Sequence, residues 1–120
     1  MIAREVFEIA SALIDEVGED IDSDNETKAP YIINLLQKEL AFHEGIELTS
    51  NIVTLDDELE ISDDTAERIM PYGLAAKFAL ADKDADYYNE YSSMYRSLIR
   101  TIRCDEEEIE DEYNILAGMQ

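Results

Sequence analysis

Residues 2–17 run Ile2-Ala3-Arg4-Glu5-Val6-Phe7-Glu8-Ile9-Ala10-Ser11-Ala12-Leu13-Ile14-Asp15-Glu16-Val17, and their pattern decides the fold. Ile2, Val6, Ile9, Leu13 and Val17 stand three or four apart, with Phe7, Ala10 and Ile14 beside them. That is the spacing of one buried helical face. A first helix is expected over 2–17 with its stop near Gly18, because glycine just past the last periodic residue terminates helices. The stretch Glu19-Asp20-Ile21-Asp22-Ser23-Asp24-Asn25 that follows is turn-forming and self-repelling.

Working outward, a second helix is expected from about Ala29 or Pro30, proline being tolerated in a first turn. It carries Ile32, Ile33, Leu35, Leu36, Leu40 and Phe42 as its apolar run, reaches about Phe42 and is closed by Gly45. Residues 46–61 are the least helical part, since Ile46-Glu47-Leu48-Thr49 and Ile52-Val53-Thr54-Leu55 alternate or are β-branched around Ser50-Asn51. A short hairpin and an extended loop both fit. Ser62-Asp63-Asp64 reads as the cap of a third helix, with two acids complementing the positive end of its dipole. Pro71 lacks an N–H donor and crowds the preceding turn, so a kink or restart is expected at Met70-Pro71. The apolar segment Leu74–Ala81 comes next, then a last long helix over about 84–103 capped by Asp82 or Asp84. The fold class is therefore all-α, four or five helices with a possible short hairpin. Residues 1–103 form the helical domain and 104–120 an acidic C-terminal tail.

The chain has 120 residues and a formal net charge of −21. Such a charge repels nucleic acid and anionic membrane alike. No apolar run approaches the roughly 18 residues of a membrane span, and the opening Met1–Glu5 lacks the apolar core of a signal peptide. Cys104, the sole cysteine, can make neither an internal disulfide nor a cysteine-based zinc site. These features are expected of a soluble intracellular or virion protein.

The candidate chemistry is sparse. Asp20, Asp22 and Asp24 occupy positions one, three and five of a possible calcium loop, but Tyr31 stands where the closing bidentate glutamate is needed, so an acidic linker is expected and no metal site. His43 is the only histidine, without a serine or cysteine signature or a glycine-rich phosphate loop in the chain, and is expected as a helix-end residue. Neither a catalytic residue nor a cofactor is expected, and the chain reads as a non-enzyme. Tyr87, Tyr91 and Tyr95 recur every four residues and are expected in core and rim packing, with a subunit interface as the other reading.

Charge is placed unevenly. Arg96, Arg100 and Arg103 fall on one helical stripe, in the only segment that is not acidic, and either neutralise nearby acids or meet an acidic neighbour. The tail, Asp105 to Leu116, carries seven acids and no base, interleaved with Ile109, Tyr113, Ile115 and Leu116. A purely solvating tail has no use for these apolar residues, whereas a segment that orders on a partner does.

The run Met70-Pro71-Tyr72-Gly73-Leu74-Ala75-Ala76, then Ala81-Asp82-Lys83-Asp84 and Tyr87-Tyr88-Asn89-Glu90-Tyr91, resembles small helical proteins encoded among the head and neck genes of tailed phages and prophages. It is most similar to head–tail connector (adaptor) proteins. Arg4–Ala10, Lys28–Leu40 and Ile109–Tyr113 fit the same pattern, so the resemblance covers most of the chain apart from 45–60 and Asn114–Gln120. It implies a helical subunit of a twelve-membered ring beneath the portal, extending the DNA channel toward the tail. The implied partners are copies of itself, the portal protein and the next neck or tail protein. The implied location is the virion neck, with the host cytoplasm before assembly. DNA would pass without specific binding, since an acidic wall repels phosphate. Under this reading Arg96, Arg100 and Arg103 face acids of an adjacent subunit, and Ile109, Tyr113, Ile115 and Leu116 dock on a neighbour or the portal. The same acidity also suits a DNA mimic that occupies the groove of a host defence protein, which is expected to be a discrete monomer or dimer.

Overall fold

Helix α4, Met70–Ala81, is apolar nearly all the way round, and a helix of that kind belongs in the middle of a bundle. In the computed structural model, which describes residues 1–15 and 23–102, α4 packs against every other helix. These are α1 (Ala3–Leu13), α2 (Ser23–Glu44), α3 (Asp63–Arg68) and α5 (Ala85–Ile99). The described part of the chain is all-α, with five helices. Phe78 of α4 meets Phe7 of α1 edge to face, with ring centroids 6.0 Å apart. Leu74, Ala75, Ile33, Leu40 and Val6 are buried with them in one continuous core.

Local signals set several element ends as the sequence predicts. Ser62 Oγ accepts from Thr65 N at 3.3 Å to cap α3, and Asp84 Oδ1 accepts from Tyr87 N at 3.1 Å to cap α5. Gly45 closes α2 with a φ of 75°, a conformation glycine adopts without steric cost. At Met70-Pro71 the chain restarts, α3 ending at Arg68 and α4 beginning at Met70. Residues 46–61 form a loop, without a named strand; an isolated bridge joins Glu58 to Ile2. Side chains of α2 hold this loop in place. Asn34 exchanges two hydrogen bonds with the backbone of Ile52, and buried Gln37 accepts from Glu60 N at 2.6 Å.

Other expectations need correction. Helix α1 ends at Leu13 instead of Val17, and Asp15 takes a left-handed φ of 62°; Gly18 lies outside the described residues. Helix α2 begins at Ser23, well before Ala29, and carries Pro30 in its interior. Proline there forfeits a backbone bond to Glu26, but buried Asn25 and Ala29 anchor the two preceding turns against the core. Helix α5 ends at Ile99, not near residue 103. It is also peripheral: Tyr95 is its one buried residue, and α4 holds the centre. Finally, Leu35 and Phe42 do not join the buried run of α2. They point outward.

Candidate interaction surface

Helix α2 carries two apolar stripes with the same spacing. Ala29, Ile33, Leu36 and Leu40 face α4 and are buried. Lys28, Tyr31, Leu35, Lys38 and Phe42, also three or four apart, form a stripe on the opposite side. Tyr31 is 75% exposed, Leu35 67% and Phe42 81%, so this outward ridge is apolar and uncovered by the described residues. His43 sits half-buried at the helix end, its ring edge-on to Phe42 at 5.6 Å.

Beside the ridge, α2, α4 and α5 enclose a cleft of about 240 Å³ lined by Leu36, Glu39, Lys77, Tyr88, Ser92 and Arg96, with Gly73 and Tyr95 at its base. Tyr95 donates its hydroxyl to Glu39 Oε1 at 2.6 Å, which ties α5 to α2. Burial, and then the hydrogen bond to Glu39, hold this phenol protonated far above the ordinary tyrosine range. Gly73 is required here, because a Cβ would lie 2.8 Å from the Tyr95 ring and 3.0 Å from Leu36. The rest of the tyrosine stripe is packing. Tyr91 donates to the carbonyl of Leu13, Tyr87 donates to Asp15 Oδ2 at 3.1 Å, and the two rings stack at 5.6 Å. The Asp15 carboxylate raises the Tyr87 pKa through that bond, and burial raises that of Tyr91. Two tyrosines thereby clamp α5 onto the end of α1.

The cations divide into two groups. Arg4 pairs with Asp56 at 3.0 Å and Glu26 at 3.3 Å, while Arg68 pairs with Asp64 at 3.1 Å and donates to Thr101. Lys28, Lys38, Lys77, Lys83, Arg96 and Arg100 make no ion pair among the described residues. Arg96 and Arg100 are exposed, one in the last turn of α5 and the other its C-cap. Neither arginine pairs directly with an acid among the described residues, and the acidic tail next to them in sequence lies outside those residues. Arg103 lies outside the described residues, as do Ile109, Tyr113, Ile115 and Leu116 of the tail.

A second surface carries the opposite charge. Helices α1 and α3 border an open groove of about 690 Å³, with Ile9, Ala12 and Met1 as its apolar lining and Glu5, Glu8, Asp63 and Glu67 as its acids. Asp63 is partly neutralised by the Met1 amino group at 2.8 Å, whereas Glu5, Glu8 and Glu67 have no ion pair among the described residues.

The calcium-loop pattern does not form a loop: residues 23–31, including Asp24 and Tyr31, are wound into α2. Asp20 and Asp22 lie outside the described residues. Among the described residues no group of three or more metal-capable side chains converges, and no helix is long and apolar enough to cross a membrane. The sequence expectation places Leu35 and Phe42 in one apolar run with Ile33, Leu36 and Leu40, and so does not separate the ridge of α2. The signal was there, since two interleaved stripes of the same period cannot share one face. Comparison with family models, curated proteins and solved structures finds no match to this chain.

Proposed function

We propose that this chain is a non-catalytic structural subunit of a phage head–tail connector, assembling with copies of itself into a ring beneath the portal. The observation that carries this reading is the outward ridge of α2. Three large apolar side chains stand in solvent on a firmly packed helix, next to cations that find no partner among the described residues. Exposed apolar surface of this kind marks a contact site on a soluble chain. Copies at −21 each repel one another unless opposite charges meet at the seam, and Lys28, Lys38, Lys77, Arg96 and Arg100 are the charges free to do so. Apolar burial then supplies affinity, and charge sets register. The acidic remainder suits a conduit to which a packaged duplex must not adhere. The phage assignment itself rests on the resemblance of Met70–Ala76 and Tyr87–Tyr91 to connector proteins described from the sequence alone.

The test is completion of phage heads in an assembly reaction. Arg100→Glu is expected to abolish head joining without unfolding the bundle, because Arg100 is exposed and makes no ion pair among the described residues. Removal of residues 105–120 is expected to leave a folded bundle that joins poorly. Normal joining by both variants contradicts the assignment, and inhibition of a nuclease by the wild-type chain would then favour the DNA-mimic reading.

A further inference from the structure

The connector reading leaves open which surface of a neighbour receives the α2 ridge, and two surfaces of the chain match in shape, polarity and charge. The ridge is convex, apolar at Tyr31, Leu35 and Phe42, and basic at Lys28 and Lys38. The groove between α1 and α3 is concave, apolar at Ile9 and Ala12, and acidic at Glu5, Glu8 and Glu67. They lie on different helices and share no residue. Because the two belong to the same chain, their pairing is head to tail, and a head-to-tail contact closes into a ring when its rotation permits.

We propose that the outward ridge of α2 in one copy seats in the α1–α3 groove of the next copy. Lys28 and Lys38 meet Glu5, Glu8 and Glu67, while Leu35 and Phe42 cover Ile9 and Ala12. The charges engaged are ones that lack a partner among the described residues, so docking breaks no ion pair described within the chain. An isologous contact, ridge on ridge, would instead leave Lys28 and Lys38 away from Glu5, Glu8 and Glu67 and stop at a dimer. This inference rests on the proposed self-assembly and adds the identity of both faces.

Charge exchange in the full-length chain tests it. Lys28→Glu with Lys38→Glu reverses the ridge, and Glu8→Lys with Glu67→Lys reverses the groove; all four residues are exposed, so melting temperatures should stay near wild type. Each pair alone is expected to raise the concentration needed for assembly by about tenfold or more, and to block head joining. An equimolar mixture of the two variants is expected to assemble again with the two chains alternating, because the acidic ridge of one meets the basic groove of the other and the basic ridge of the second meets the acidic groove of the first. The chain carrying all four substitutions should assemble again, because every seam regains opposite charges. If wild type assembles and either reversal leaves assembly intact, or the fourfold variant fails to recover, the ridge and groove are not partners. If wild type stays monomeric at every concentration and is dispensable for head joining, the connector reading itself falls.

Discussion

Helices α4 and α2 are both rich in apolar residues, yet one is buried along most of its length, with Leu80 its one exposed large apolar side chain, and the other along one face. In α4, Leu74, Ala75 and Phe78 are fully buried, and the helix meets α1, α2, α3 and α5. In α2, the stripe through Ile33 and Leu40 is equally buried, while the stripe through Tyr31, Leu35 and Phe42 is bare. Apart from Leu80, the large apolar side chains in α4 are accounted for by the fold. Those on the outside of α2 add nothing to it, and the cost of exposing them is recovered only on contact with another surface.

The contrast can be broken most forcefully at α4. Phe78→Ala removes a fully buried ring from the contact with Phe7, and a loss of about 3–5 kcal/mol is expected in denaturant unfolding. A loss below about 0.5 kcal/mol, typical of surface sites, would mean that α4 is not the hub. Gly73→Ala pushes a methyl group into Tyr95 and Leu36, and about 1–3 kcal/mol should be lost by overpacking. Retention of full stability would show that α5 is loosely seated on α4. Tyr95→Phe keeps the ring and deletes the hydroxyl bonded to Glu39, which should cost about 1 kcal/mol and separate the α2–α5 tie from ring packing.

The smallest effect concerns the loop that α2 holds. The Asp57 carboxylate accepts from Thr54 N at 3.0 Å and Val53 N at 2.7 Å, and Glu60 accepts from Thr49 N at 2.8 Å and Ser50 N at 3.1 Å. These bonds favour the ionised forms and hold both carboxyls below the ordinary range. A depressed carboxyl contributes stability that is present above its unfolded value and lost as pH falls through its folded one. Protection of the amides of Thr49, Ser50, Val53 and Thr54, relative to their intrinsic exchange rates at each pH, should therefore fall as the solution is acidified below the usual carboxylate range, before α4 loosens. Simultaneous loosening of both would show that the loop and the core are one cooperative unit.

Much of this architecture is legible residue by residue. Ser62, Asp84 and Gly45 act within a turn of their own position, so the sequence alone places the ends they set. The start of α2 is less visible. Pro30 reads locally as a first-turn residue, whereas the helix runs back to Ser23 through turns in which Asn25 and Ala29 are buried. The role of α5 is likewise obscured. Its tyrosines have the period of a core stripe, but their hydroxyls reach Asp15, Leu13 and Glu39 at the rim, leaving Tyr95 alone buried. On the candidate surface, the arginine stripe is evident from spacing, whereas the ridge of α2 emerges only from the exposure of its second stripe among the described residues.

The central claim is that the bare face of α2 is a contact between copies, and particle mass across concentration tests it most directly. Wild type and the double variant Leu35→Ser, Phe42→Ser should unfold within about 0.5 kcal/mol of each other, since both side chains are largely exposed. The account predicts that wild type grows into a ring-sized particle as concentration rises, while the double variant remains a monomer of the 13.7 kDa chain at the same concentrations. Identical mass curves for the two proteins would contradict it.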